Sequence, residues 1–369
     1  MSTLEYLATL KAGLLGQHGS VGLYSALQRC FVAFGLAAAP TCWLIDAPFG
    51  RFGTPKWLSC SGDLGWLVME LVAPLAYLYG LALPISTSGS AIGGLYHSLS
   101  APLRQPSSLL AALRALPRAR LILALAFLVH YGNRSVISTL RNPGRARMNL
   151  SVPLSAILFN FANGITMGMF VGGGYGSADG ATQSALFGEQ KANGGFSQHV
   201  WARPLFTIGM LVWAAGFLSN IYHDEVLYSL KRRRAQKPNP SPSAPPSERY
   251  SIPPRSKGLY RYLSHPAYSS EWLEWTGYFL ATLALCPAPF PSHASTLVLG
   301  GGGKRLVPLP STLRPSTTWF LQPPILFVLM EVAIMLPRAT RGHAWYEKTF
   351  GRKEWTEKGQ RWVVVPGVW

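Results

Sequence analysis

Seven stretches of this chain are long and apolar enough to cross a bilayer, which takes about 20 residues each. They lie near 21–45, 64–85, 119–140, 150–172, 203–230, 271–290 and 317–337. In hydrocarbon every backbone N–H and C=O must find a partner within the protein, so spans of this length imply helices. The expectation is an all-α polytopic membrane protein, a bundle of seven transmembrane helices. Composition agrees: charged residues are 13% and hydrophobic residues 49% of the chain, against roughly 25% charged in a soluble domain. A soluble globule of this size would lack the charge to cover its surface. The Leu/Ala-rich stretch 106–118 is too short to span and is expected at the interface.

Residues 1–20 lack the basic region and apolar core of a cleavable signal. They read as a short non-cytosolic segment, and 21–369 as one membrane domain. With seven spans, one side receives 46–63, 141–149, 231–270 and the tail 338–369, which together hold 21 Lys and Arg. The loops and segment on the other side hold 10. The positive-inside rule makes the first side cytosolic, with the N-terminus outside and the C-terminus inside.

A net charge of +18 would suggest nucleic acid on a polar domain. Here the basic residues sit between apolar segments, where topology and an anionic ligand account for them and no nucleic acid is implied. The four cysteines have no metal-ligand spacing, and no metal is expected. The Pro/Ser segment within 235–249 reads as a mobile linker, and 172–195 is Gly-rich. GGGGKR (300–305) lacks the spacing of a phosphate loop, and no GxGxxG follows a strand, which excludes a Rossmann site.

Ionisable residues at bilayer depth are costly and mark function by default. Glu70 stands in WLVMELVAP. His130, Tyr131 and Arg134 share FLVHYGNRSV. Asn220 and Asp224, one helical turn apart, share LSNIYHDEVL with Lys231 further along the stripe; Glu271 and Glu274 begin the sixth span, and Glu331 lies in the seventh. At about 1.5 Å per residue, each falls within about 15 Å of the cytosolic edge of its span. Scattered structural pairs, such as an ion pair between Glu70 and Arg134, would not share one leaflet. A polar pocket open to the cytosol would.

From about Gly50 to Trp369 the chain resembles the membrane-embedded steroid 5-alpha-reductases. The carrying strings are PFGR (48–51), WLVMEL (66–71), HYGNR (130–134), NPGR (142–145), NG (163–164) and NIYHD (220–224). They continue through GLYRYLSHPAYSSEWLEWTGYFLAT (258–282), HAWYEKTF (343–350) and RWVVVPGVW (361–369). The resemblance implies an endoplasmic-reticulum enzyme, a monomer in membrane lipid, that takes NADPH from the cytosol and reduces the double bond of a lipid-like enone. It assigns the substrate ketone to Glu70 and Tyr131, both as donors to the carbonyl oxygen. It assigns NADPH to Arg134, Asn142, Arg145, Asn220, Asp224, Lys231, Tyr250, Glu271, Tyr346 and Arg361.

The chain departs from the family pattern at Ala267, Ser270, Ser251 and Gly342, which stand where Asn, Gly, Arg and His are usual. These departures imply a divergent member with a steroid-like, terpenoid or specialised substrate. The runner-up class is an isoprenylcysteine-type methyltransferase using S-adenosylmethionine, which RYLSHPAY and the tail fit loosely. An enoyl-CoA reductase of lipid elongation and a non-catalytic lipid binder or isomerase complete the alternatives. Glu70, the His130–Tyr131 pair and NIYHD favour the reductase.

Overall fold

A computed structural model describes residues 19–45, 58–83, 107–172, 202–236, 250–285, 296–299, 305–308, 322–351, 355 and 361–368. The N-terminal segment up to residue 18, PFGR, most of the Gly-rich stretch 172–195, the Pro/Ser linker from 237 and the glycines of GGGGKR lie outside them. Helix α1 runs Gly19–Leu44, α2 Gly62–Ala82, α3 Ser107–Ala115 and α4 Arg118–Arg141; α5 follows over Ser151–Gly172, α6 over Ala202–Ala235, α7 over Pro266–Leu283 and α8 over Pro323–Phe350. A two-residue antiparallel ladder pairs β1 (Ser59–Cys60) with β2 (Met148–Asn149), tying the start of α2 to the start of α5. Strands β3 (Thr296–Leu299) and β4 (Arg305–Pro308) pair antiparallel across the glycines of 300–304.

Local chemistry sets the helix ends. Ser61 accepts from the Leu64 N–H ahead of α2, with Asp63 in its first turn. Proline opens both α7 and α8, where the missing N–H would have no partner in any case. Gly351, at φ 80°, ends α8 in a conformation that favours glycine. The short α3 falls within the stretch 106–118 read in the sequence as too short to span.

Six of these helices are long and apolar enough to span, among the described residues: α1, α2, α4, α5, α6 and α8. The chain is therefore an all-α polytopic membrane protein. The seventh expected span is α7, displaced to Pro266–Leu283 from the expected 271–290. Its Glu271, Glu274, serines and aromatic residues lower its hydropathy below that of a spanning helix, so composition supports six spans. The polar residues nonetheless face protein: Ser270, Glu271, Glu274, Trp275 and Tyr278 are all buried.

Tight seams position the site. A Cβ on Gly164 or Gly168 of α5 would collide with the α2 backbone at Ala73, Tyr77 and Leu81. One on Gly277 of α7 would strike the backbone of Gly209 and Trp213 in α6. With no side chain in the seam, these helix pairs approach closely enough for van der Waals packing to hold them in lipid. Between the pairs lies an aromatic core. Tyr77 stacks on Phe127 at 4.1 Å, and Trp275 meets His130 at 4.6 Å and Phe327 at 4.7 Å. The tail closes one end: Trp362 N–H donates to Tyr262 O (2.7 Å), Ser264 N–H to Trp362 O (2.8 Å) and His265 N–H to Val363 O (3.1 Å).

Candidate active site

Arg134 joins three helices. It lies in a π-helical turn of α4, Asn133–Ile137, a local widening that recurs at functional sites. Its Nε donates to Glu70 Oε1 on α2 at 3.0 Å, and its Nη1 lies 2.8 and 3.0 Å from the two carboxylate oxygens of Glu271 on α7. Its carbonyl accepts from the Trp66 indole N–H at 3.1 Å, and its guanidinium lies over the same ring. Glu70 and Glu271 are 5% and 3% exposed. One guanidinium is thus shared by two buried carboxylates. The Glu70–Arg134 ion pair foreseen as a structural possibility is present. The expected free donor at Glu70 is instead a charge-assisted acceptor.

The turn before Arg134 supplies the other polar groups. His130 Nδ1 meets Glu274 Oε1 at 2.7 Å, with both side chains fully enclosed. The Tyr131 hydroxyl accepts from Asn163 Nδ2 at 3.4 Å, which leaves its own proton for another acceptor. Glu70, Glu331, Arg134 and Glu271 are the charged groups acting on this hydroxyl. Asn160, one turn before Asn163, braces α5 on α2 by donating to Met69 O at 2.7 Å. Trp275 forms the wall, touching Phe127, His130, Tyr131 and Phe327.

Toward the basic end, Asn220 Nδ2 donates to Ala267 O at 2.9 Å and reaches Glu271 Oε2 at 3.5 Å. Asp224, one turn on, lies near Tyr228 and in the field of Arg134, Arg145 and Lys231. Arg145 is held by Asp63 at 3.2 Å and Ser138 at 3.1 Å and stacks on Trp66. Lys231 Nζ donates to Asn142 Oδ1 at 3.2 Å. Of the twelve residues named from the sequence, Glu70, Arg134, Glu271 and Asn220 therefore form one bonded cluster, with Tyr131 on Asn163, Arg145 on Asp63 and Ser138, and Lys231 on Asn142 as separate pairings around it.

Tyr346 and Arg361 belong to a second cluster at the tail. Tyr346 stacks on Trp355 at 4.5 Å, and the Arg361 guanidinium lies over the same indole at 4.8 Å. Arg361 is 7% exposed and donates to Pro253 O at 2.9 Å, while its Nε and Nη1 have no partner among the described residues. Burial, with the nearby Arg255 cation, lowers its pKa to about 10, so the guanidinium remains charged at neutral pH. A buried cation with two unused donors fits an anionic ligand. The His265 ring meanwhile occupies the space that a side chain at Gly342 would need. Tyr250 stands apart, exposed and packed edge-on against Trp345.

Two contributors escaped the sequence reading of the site. Asn163 was visible within NG but gave no sign of which hydroxyl it meets. Trp66 lies within a quoted string, at helical spacing from Glu70, and that spacing was the available signal. Glu274 was singled out as an ionisable residue of its span but given no partner. His223 of NIYHD is structural: it accepts from Leu259 N–H at 2.9 Å and lies 2.6 Å from Ser219 O.

Residues 146–295 match the family model described as 3-oxo-5-alpha-steroid 4-dehydrogenase. An uncharacterized protein of Schizosaccharomyces pombe is 31% identical, over 89% of this chain and 94% of its own length. The 3-oxo-5-alpha-steroid 4-dehydrogenase 1 of Macaca fascicularis is 31% identical over 73% of this chain and 80% of its own. The steroid 5-alpha-reductase DET2 of Solanum lycopersicum is 26% identical over 61% of each.

Proposed function

The chain belongs to the 3-oxo-5-alpha-steroid 4-dehydrogenase family, and from that premise we propose that it is an NADPH-dependent reductase of an alpha,beta-unsaturated ketone in a steroid, terpenoid or other lipid-like substrate. The observation that carries this reading is the Tyr131 hydroxyl, buried, fixed by Asn163 and holding a proton to donate.

Bound NADPH would supply a hydride for the beta carbon. As that carbon is reduced, negative charge gathers on the ketone oxygen, and a donor already aimed there stabilises the enolate more than the ketone. Tyr131 is that donor. Glu70, with Glu271, holds the Arg134 guanidinium at the polar end of the site, where its positive charge would face the carbonyl end of the substrate. The alpha carbon then takes a proton from water entering at the basic end.

The side chains present suit NADPH. Lys231, Arg145 and Arg361 would hold its phosphates, with Asn142 and Tyr346 beside them. Asp224 would accept from a ribose hydroxyl, and Asn220, Glu271 and Arg134 would border the nicotinamide. Tyr250 would reach it from the loop that precedes α7. Ala267 removes an amide from this wall, although its carbonyl still anchors Asn220. In this reading α7 crosses the membrane as the seventh span, the basic end faces the cytosol, and the protein acts as a monomer in the endoplasmic reticulum.

The test is turnover by membranes carrying the full chain, given NADPH and a panel of steroid, terpenoid and acyl-CoA enones, read as a mass gain of two hydrogens. Tyr131→Phe and Glu70→Gln should each lower turnover at least about tenfold, the first by losing a carbonyl donor of a kind typically worth about 10²–10³ and the second by weakening the ion pair that holds Arg134, while the protein still purifies as a single species. Turnover near wild type in either variant would remove that residue from the chemistry. Methyl transfer from S-adenosylmethionine without NADPH oxidation would replace the reading altogether.

A further inference from the structure

Glu331 is a polar residue in the chamber that the proposed reaction does not use. It lies on α8 one turn after Phe327, whose ring packs on Trp275, so it projects from the helix face that borders the aromatic wall. Its Oε2 is shut off from solvent and has no hydrogen-bond partner among the described residues. Arg134 engages Glu70 and Glu271, and His130 engages Oε1 of Glu274, whose Oε2 also lacks a partner but sits on a side chain at 0% exposure. The Trp275 ring on that wall also packs against Tyr131, at 6.1 Å between ring centroids. A carboxyl oxygen on the wall that Tyr131 also borders, with nothing to bind, calls for a group on the ligand.

We infer that Glu331 selects substrates carrying a hydrogen-bond donor, a hydroxyl or an amine, on the ring system next to the enone. This deepens the reductase reading and rests on it for the placement of the carbonyl. A donor on the substrate would satisfy the oxygen. A bare enone would leave it unpaired in an apolar chamber, a loss equivalent to roughly 10- to 100-fold in affinity. Sites that hydrogen-bond a substrate group reject analogues lacking it in this way.

The experiment compares progesterone with a derivative bearing one added hydroxyl on ring B beside the enone, using the full-length protein. Wild type should favour the hydroxylated compound in kcat/KM by roughly 10- to 100-fold. Glu331→Leu should bring the ratio to one or below by slowing the hydroxylated compound and speeding progesterone. Glu331→Gln, which keeps the shape and a hydrogen-bonding group, should retain part of the preference and covers failure of the leucine variant to fold. Equilibrium binding of the corresponding saturated ketones, followed by tryptophan fluorescence without cofactor, should show the same ratios. An equal ratio in wild type and Glu331→Leu, or no preference in wild type, overturns the inference. If wild type reduces neither compound, the reductase reading fails, and the binding ratios still decide the role of Glu331.

Discussion

Arg134 is the residue whose removal should cost this protein most. It supplies positive charge to Glu70 and Glu271 together, and both carboxylates are buried. Arg134→Met would leave two carboxylates facing each other without a counterion. Breaking a buried pair from one side costs about 3–5 kcal/mol, so the variant should lose thermal stability in detergent as well as turnover. Arg134→Lys should recover less than half of either, because a single ammonium lacks the fork that spans two carboxylates. Arg361 should behave differently. Its variant Arg361→Gln gives up one bond to Pro253 O and the contact with the Trp355 ring but removes a buried cation with two unused donors, so the melting temperature should move little while NADPH affinity falls at least about tenfold. Titration of intrinsic fluorescence with NADPH checks the second outcome, and an unchanged Kd would separate the tail cluster from the cofactor. At this scale the sequence was informative about which groups matter, because an ionisable residue in an apolar span is conspicuous. It offered one pairing, Glu70 with Arg134, but nothing in FLVHYGNRSV indicates that Arg134 also takes Glu271 or that His130 takes Glu274. Those choices depend on how three helices are rotated.

That rotation is set by elements. The π turn at Asn133–Ile137 places Arg134 toward α2 and α7, and its sequence, NRSVI, carries no proline or glycine to announce it. The end of α8 was equally hidden: hydropathy fades near Pro337, yet the helix continues to Phe350 until Gly351 ends it, which brings Tyr346 onto the same rod as Glu331. The glycine seams were legible as small residues but not as contacts. Gly168→Leu should push α5 off the α2 backbone at Tyr77 and Leu81, with a cost at or above the usual 1–3 kcal/mol of overpacking because backbone cannot yield as a side chain can. Gly132→Ala is the matched control. A Cβ there meets nothing within 4 Å, and alanine is worth up to about 1 kcal/mol over glycine in a helix. Melting in detergent should therefore fall for the first variant and hold or rise for the second. A parallel loss in both would mean that the seams do not set the packing.

For the whole molecule, the open question is parity, and the site depends on it. Asp63, Arg145 and Lys231 come together at one end of the bundle with the start of α2 and the last turns of α6. With seven spans the same end would receive loops and a tail holding 21 of the basic residues against 10 opposite, the asymmetry behind the proposed cytosolic orientation. Six helices cross by their composition; α7, with Glu271 and Glu274 in its second and third turns, does not qualify by that measure. If α7 also crosses, the two termini lie on opposite sides of the membrane. If it does not, they share a side. Epitope tags at both ends of the full chain, expressed in sealed microsomes and exposed to protease, decide between these. The expected pattern is a protected N-terminal tag and a cleaved C-terminal tag. Cleavage of both would return α7 to the interface, where burying Glu274 at 0% exposure against His130 would lack a cause. Protection of the C-terminal tag alone would turn the basic end, and the NADPH site proposed there, away from the cytosol.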